Sequence, residues 1–281
     1  MVPSFLTIKD VSKRFSGVQA LDRVSFKVDQ GEIVALIGAN GAGKTTLMNI
    51  LGGIVQKDSG TISINGTKID IHNPIDADNQ GIAFVHQELT ALNSLRVIDN
   101  LLLTSYPNTL GIIQSRRAAE SVKRIFKRLG LNIDPNDQMG NLSPGDQQMV
   151  EIARVLLQDA RIVIFDEPTS SLSRTEKVRL FEIIKDLKQT GVAVIYITHL
   201  LDELKDLCES IVILRNGRLV SEGKLADYTR RQWCFCVSHR HGKLSPICHV
   251  WQSAEDYVQQ PRAWAERRVC AGIPGGQHVV H

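Results

Sequence analysis

Thirteen consecutive residues constrain the fold of this chain more than any others. Ile33-Val34-Ala35-Leu36-Ile37 is an unbroken apolar run, the pattern of a strand buried on both faces of a sheet. It runs straight into Gly38-Ala39-Asn40-Gly41-Ala42-Gly43-Lys44-Thr45, which fits G-x-x-x-x-G-K-[ST]. Thr46 follows, and Leu47, Ile50 and Leu51 then share one helical face. Strand, glycine-rich loop and helix in this order form a cradle for phosphate. Glycines let backbone N–H groups close around phosphate oxygens, and a helix beginning near Lys44 turns its positive dipole end toward them. Lys44 adds a charge for the β and γ phosphates of a nucleotide, and Thr45 a hydroxyl for Mg²⁺. The alternative is a glycine-rich turn that needs only positive φ angles. The strand before and the helix after weigh against it.

The rest of the chain supplies the frame. Short strand patterns occupy Phe5 to Val28, and Asn65-Gly66 between Thr61–Ile64 and Ile69–Ile71 signals a hairpin. Ile82–Val85 is a further strand. Residues from about 96 to 157 read as helical, with Ile125 and Leu129, and Val150, Ala153 and Leu157, at helical spacing. Strands and helices then alternate: Ile162–Phe165, about Thr175 to Gln189, Val192–Ile197, Leu201–Cys208 and Ile211–Leu214, before a last hairpin at Asn216-Gly217. Such alternation means an α/β core with a mostly parallel sheet, here interrupted by an inserted helical block.

Composition excludes some classes. The 281 residues are 43% hydrophobic and 22% charged, and no apolar run nears the roughly 20 residues that span a bilayer. The first ten residues lack the basic flank and apolar core of a secretory signal, which makes a cytoplasmic chain the expectation. Before Trp233 there are 28 Lys+Arg against 27 Asp+Glu. So neutral a body lacks the basic stripe that nucleic-acid binding needs.

Two further stretches carry chemistry. Ile162-Val-Ile-Phe165 ends in Asp166-Glu167, which is either the solvated end of a buried strand or the second half of a nucleotide site. In the second case Asp166 would hold Mg²⁺ through water and Glu167 would orient and polarise the attacking water. Leu142-Ser-Pro-Gly-Asp-Gln-Gln148 opens an apolar-periodic helix, with Ser143 as cap and Pro144 at the first helical position. A capped helix start is also a place for an anion.

With the phosphate loop, Gln87, LSPGDQQ, FDEP, SSLS and His199 in this order and spacing, residues of about 4 to 232 resemble an ATP-binding cassette ATPase. "GANGAGKTTLMNIL", "LSPGDQQMVEIARVL" and "YITHLLDEL" are similar to the first cassette of tandem ATPases that power bacterial monosaccharide importers. The resemblance implies a P-loop NTPase core with an antiparallel β subdomain and an inserted helical subdomain at about 90–160. It implies ATP and Mg²⁺ as ligands. Phe15 would stack on adenine, its alternative being a plain core position. Gln87 would approach Mg²⁺ and the attacking water, and His199 the γ-phosphate. Ser143 and Gly145 would act on the ATP of a second, head-to-tail cassette, with Ser170-Ser171-Leu172-Ser173 crossing the interface. The implied partners are membrane permease subunits and a periplasmic sugar-binding protein, at the cytoplasmic face of the inner membrane, with no nucleic acid.

There are departures. Asp146 replaces a customary Gln, and a carboxylate near a triphosphate weakens a shared site. Ser173 stands where many cassettes have Asp. From Trp233 on, the composition changes: all three tryptophans and four of five cysteines lie in these last residues. Cys234, Cys236, His239, His241, Cys248 and His249 have zinc-ligand chemistry, but C-x-C is tighter than the usual C-x₂₋₄-C. The preferred expectation is a frameshift-derived tail at 233–281 without an ordered core, in place of a second cassette. That leaves two readings beside a sugar-importer ATPase: a truncated, transport-inactive cassette, or a soluble cassette with a task other than transport.

Overall fold

The computed structural model describes residues 4–87, 91–103, 108–109, 112–113 and 115–228. The 233–281 tail lies outside them. In chain order the elements are β1 (Leu6–Phe15), β2 (Val18–Val28), β3 (Ile33–Ile37), α1 (Lys44–Leu51), β4 (Ser59–Ile64), β5 (Thr67–Ile69), α2 (Pro74–Asn79) and β6 (Ile82–Val85). Then come α3 (Val97–Leu102), β7 (Asn108–Thr109), β8 (Ile112–Ile113), α4 (Ser115–Leu129) and α5 (Pro144–Leu157). The chain continues with β9 (Ile162–Asp166), α6 (Arg174–Gln189), β10 (Ala193–Ile197), α7 (Leu201–Leu207), β11 (Ser210–Arg215) and β12 (Arg218–Lys224).

Six strands form the main sheet in the order β12-β11-β3-β10-β9-β6, parallel except for the β11–β12 hairpin. Its two faces are read off one strand at a time. Ile33, Ala35 and Ile37 of β3 join Val163, Phe165, Val194 and Tyr196 on the face covered by α3 to α7. Val34 and Leu36 join Ile162, Ile164, Ile195 and Ile197 on the other face, against α1 and a second sheet. Side chains alternate across a pleated strand, so a strand buried on both sides must be apolar throughout. Each such side chain contributes about 1.5–3 kcal/mol on burial.

The second sheet is antiparallel, in the order β2-β1-β4-β5. Its hairpin turns at Ser16-Gly17 (φ 38° and 93°) and Asn65-Gly66 (50° and 76°) have positive φ at both central residues, as does Asn216-Gly217 (50° and 75°) between β11 and β12. That is the turn whose twist suits paired strands. Both Asn-Gly turns were legible in the sequence. The Ser-Gly turn is a weaker signal, and β1 and β2 are accordingly longer than the sequence pattern suggested.

The stretch expected to be helical from 96 to 157 holds α3, α4 and α5, with the short β7–β8 pair between them. Val97 and Leu101 of α3, Val122 and Phe126 of α4, and Met149 and Val150 of α5 share one core. Asn100 is buried among them, satisfied by the Leu92 N–H (2.7 Å) and by the Leu92 and Arg96 carbonyls. No helix among the described residues is long and apolar enough to cross a membrane.

Candidate functional site: a phosphate loop at the strand ends

Register brings the chemistry to one edge. Ile197, the last residue of β10, pairs with Leu36 of β3 on one side and with Asp166 of β9 on the other. Val85 of β6 pairs with Phe165. Four parallel strands therefore end flush, and the loops leaving them carry Gly38 to Lys44, Glu167, His199 and Gln87. The crevice beyond the carboxyl ends of such strands is where α/β sheets bind ligands.

Between β3 and α1, Gly41 (φ 77°) and Gly43 (φ 106°) take conformations that side chains rarely adopt. Ala42 N–H donates to the Ala39 carbonyl at 2.9 Å, closing the loop. Helix α1 starts at Lys44 with Gly43 as its cap, and no side chain bonds its first amides. A helix start without a side-chain cap leaves N–H donors for an anion. Lys44 folds over the loop, donating from Nζ to the carbonyls of Gly38 (2.6 Å) and Ala39 (3.3 Å). Burial lowers its pKa, against the pull of Glu167 and Asp166. Ala39, Asn40, Gly41 and Thr45 are exposed, and Thr46 is half-buried.

Asp166 is half-buried, and its carboxyl is pushed above the ordinary value by burial and then by the neighbouring Glu167 charge, against Lys44 and His86. Two neighbouring carboxylates that both act on a nearby lysine suit a hard divalent cation with oxygen ligands such as Mg²⁺. In donor chemistry the residues present fit that ion: Asp166 would hold it through water, Thr45 through its hydroxyl and Gln87 through its amide oxygen. Among the described residues no group of three or more His, Cys, Asp or Glu could hold a metal. A magnesium here would thus draw on the phosphates and water as well as on protein.

Glu167 has φ 46°, an uncommon angle for a residue with a side chain. Its N–H donates to the Ile197 carbonyl at 2.9 Å, which fixes the peptide against β10. Its Oε1 lies 3.1 Å from His199 Nδ1. A cleft of about 260 Å³ opens beside this pair, bounded also by Thr169, Ser170, Lys177 and Thr198.

Gln87 is exposed immediately after β6, beside His86, whose carbonyl accepts from Gln148 Nε2 of α5 at 3.4 Å. Phe15 is 43% exposed at the end of β1, with Lys13 Nζ 5.4 Å from its ring centroid. It is therefore not a core residue. Val18, its partner in the hairpin, leads along β2 to Ala20 and Leu21, which lie against Gly43.

Ser143 and Gly145 sit elsewhere, at the start of α5. Ser143 Oγ accepts from Asp146 N–H (3.1 Å) and donates to Asp146 Oδ2 (2.8 Å). Asp146 thus completes a local cap. A Cβ on Gly145 would come within 2.9 Å of both carboxylate oxygens of Glu176. Glu176 itself closes a capping box with Ser173 at the start of α6. That reciprocal cap is a local reason for a serine at 173.

Sequence reasoning missed Glu203 and the hydroxyls of Thr169 and Thr198, all buried (3–7% exposed) behind Glu167 and His199. The available signal was a glutamate in α7 beside Leu204 and one turn before Leu207, on the stripe that faces the core.

A strand-loop-helix phosphate cradle facing a carboxylate pair at the edge of a parallel sheet defines a nucleotide-binding α/β protein of the P-loop kind. The sequence pattern of ABC transporters matches residues 21–170, and the chain belongs to that family. It is 42% identical over 226 residues to the ribose import ATP-binding protein RbsA of Caldanaerobacter subterraneus subsp. tengcongensis, covering 80% of this chain and 46% of that one. It is 44% identical over 230 residues to the arabinose import ATP-binding protein AraG of Ralstonia nicotianae, covering 82% and 45%. With the arabinose import ATP-binding protein AraG 1 of Burkholderia cenocepacia the identity is 42% over 272 residues, 96% of this chain and 52% of that one. A match of that length runs past Gln232, where the sequence reading ended the resemblance. The chain spans about half the length of these curated relatives. Among solved structures, the ADP conformation of the ATP-binding cassette MJ1267 superposes with a TM-score of 0.71 at 26% identity, covering 80% of this chain and 92% of that one. A dimeric post-hydrolysis cassette, MJ0796 bound to ADP and Pi, gives 0.68 at 25% identity, covering 78% and 98%.

Proposed function

We propose that this chain is the ATP-binding and ATP-hydrolysing part of an ABC importer for a simple sugar. The observation that carries this is the flush ending of β3, β9 and β10. It supports bringing Lys44, the Asp166–Glu167 pair and His199 to the same edge of the sheet, where Lys44 feels both carboxylates and His199 lies 3.1 Å from Glu167. The choice of a sugar rests on the named functions of the relatives at 42–44% identity.

In this reading Gly38 to Thr46 hold the triphosphate, Lys44 moves from the loop carbonyls to the phosphates, and Phe15 offers its exposed ring to the base. Mg²⁺, when bound, neutralises phosphate charge, with Thr45, Gln87 and Asp166 as its protein-side neighbours. Glu167 orients and polarises the attacking water, and His199, 3.1 Å from the Glu167 carboxylate, contacts the γ-phosphate. Ser143 and Gly145, at the start of α5 beside Asp146 and Glu176, act on the nucleotide of a second cassette across a head-to-tail interface. The partners are that second cassette, membrane permease subunits and a periplasmic sugar-binding protein, placing the chain at the cytoplasmic face of the inner membrane.

Two experiments test this. Calorimetric titration should show ATP binding by the chain and none by Lys44→Ala; equal affinity in both would remove the phosphate-loop assignment. Sugar uptake into vesicles holding the permease and binding protein should require this chain and ATP. ATP hydrolysis that never couples to uptake of any pentose or hexose tested would reject the importer reading.

A further inference from the structure

Glu203 has no part in the site described so far, yet four side chains converge on its buried carboxylate. Oε1 accepts from Thr169 Oγ1 at 2.8 Å and from Lys177 Nζ of α6 at 3.3 Å. Oε2 accepts from Tyr196 OH of β10 at 2.9 Å and from Thr198 Oγ1 at 3.2 Å. Glu203 is 7% exposed, Thr169 3%, Thr198 4% and Tyr196 0%. The donors come from the loop after β9, from α6, and from β10 and its end. Burying a carboxylate is costly unless its lone pairs are satisfied. Here both oxygens are, twice each.

The two threonines are neighbours of the reacting groups. Thr169 lies two residues after Glu167 on a tight turn, in which Ser170 N–H donates to the Glu167 carbonyl at 3.3 Å. Thr198 immediately precedes His199, and its Oγ1 also accepts the Leu200 N–H at 3.0 Å. That hydroxyl therefore brackets His199 from both sides while it donates to Glu203. One carboxylate grips the segment carrying Glu167 and the segment carrying His199.

We propose that Glu203 is a positioning residue that sets the 3.1 Å separation of Glu167 and His199 by tying Thr169 and Thr198 to one buried carboxylate. Glu167 sits at an unfavourable φ of 46°, so its placement must be imposed by its surroundings. The β10 carbonyl of Ile197 fixes its backbone on one side, and the Thr169–Glu203 bond fixes the following turn on the other. Tyr196 and Lys177 hold the carboxylate itself in place. Errors of about 1 Å in such placements reduce turnover by as much as roughly a hundredfold without touching affinity for the ground state.

The inference rests on the ATPase reading, and the test separates the two. Glu203→Gln, Thr169→Val and Thr198→Val are compared with the conservative Thr169→Ser and Thr198→Ser, all in the full chain. ATP affinity, turnover and the NMR signals of the His199 ring are measured for each. The expected result is that Glu203→Gln and both valine variants keep ATP affinity within about twofold while kcat falls roughly ten- to a hundredfold. The His199 ring signals shift in the same variants, and the serine variants restore both. Glu203→Gln and Thr169→Val should also be non-additive in kcat. Wild-type turnover and an unmoved His199 signal in Glu203→Gln would overturn the proposal. So would parallel loss of ATP affinity and turnover in the valine and serine variants alike, because packing alone gives that pattern. An absence of hydrolysis in the wild-type chain would instead reject the ATPase reading, and the His199 signals would still decide the positioning claim.

Discussion

Gly217 tests whether the phosphate loop is braced by a turn that lies far from it in sequence. Its N–H donates to the Ala42 carbonyl at 2.9 Å, and its own carbonyl accepts the Asp22 N–H at 2.7 Å. A Cβ placed on Gly217 would stand 2.5 Å from the Ala20 carbonyl oxygen and 3.2 Å from Leu21 Cα. The same β2 residues touch Gly43 of the loop: a Cβ there would meet Leu21 Cδ2 at 2.7 Å and the Ala20 oxygen at 2.8 Å. In Gly217→Ala the positive φ costs about 1–2 kcal/mol. Relieving the backbone overlap costs about 1–3 kcal/mol more. The sum, about 3.5 kcal/mol, is a large share of the roughly 5–15 kcal/mol that holds a domain together. At about 2–4 °C per kcal/mol, Tm should fall by about 10 °C. Gly66→Ala is the control. It has the same turn and nearly the same φ (76° against 75°), but open space where the Cβ would go. Only the conformational part applies there, and Tm should fall by about 4 °C. If about 1 kcal/mol of the Gly217→Ala strain passes to Ala42, ATP affinity drops about fivefold, while Gly66→Ala leaves it unchanged. Thermal unfolding and calorimetric titration of both variants decide the matter. Equal Tm losses with unchanged ATP affinity would refute the bracing argument.

Two further variants probe the electrostatics. Asp166→Asn should raise the Tm of the nucleotide-free protein while abolishing magnesium-dependent hydrolysis. The carboxyl's pKa is raised by burial and by Glu167, so its ionised form at neutral pH works against folding. Glu32 has the opposite sign. Burial raises its pKa, but the Ser210 hydroxyl, the Asp29 amide and Lys224 together hold it below its ordinary 4.5. The stability it adds is present above that value and is lost as pH falls through the lower folded one. The Tm gap between wild type and Glu32→Gln should therefore be open at pH 7 and close below about pH 4.5 in a pH series of melting curves.

The parts of this fold that were legible in sequence are those where one residue type answers one physical demand. Ile33–Ile37 had to be a doubly buried strand. The glycines after it had to let backbone close around phosphate, for which Gly41 and Gly43 take positive φ in the structure, and Asn216-Gly217 had to turn a hairpin. Lys44 stood out through the G-x-x-x-x-G-K-[ST] loop and Asp166-Glu167 as the acidic end of an apolar strand, whereas His199 was named only through the family resemblance. What stayed hidden depends on contacts between distant segments. No periodicity announces that Asp146 completes the Ser143 cap, that Glu176 presses on Gly145, or that Gly217 packs on Ala20. Glu203 was hidden for the same reason. A carboxylate on an inward stripe reads as a misfit until the Thr169, Lys177, Tyr196 and Thr198 donors are placed around it.

The central claim is that Glu167 performs the water-positioning step of ATP hydrolysis at this strand edge. The most direct measurement compares ATP affinity and steady-state phosphate release for the chain and its Glu167→Gln variant. Affinity should be preserved and release should fall at least about a hundredfold, the scale of a lost general base. Release at the wild-type rate in Glu167→Gln, with ATP still bound, would contradict the account.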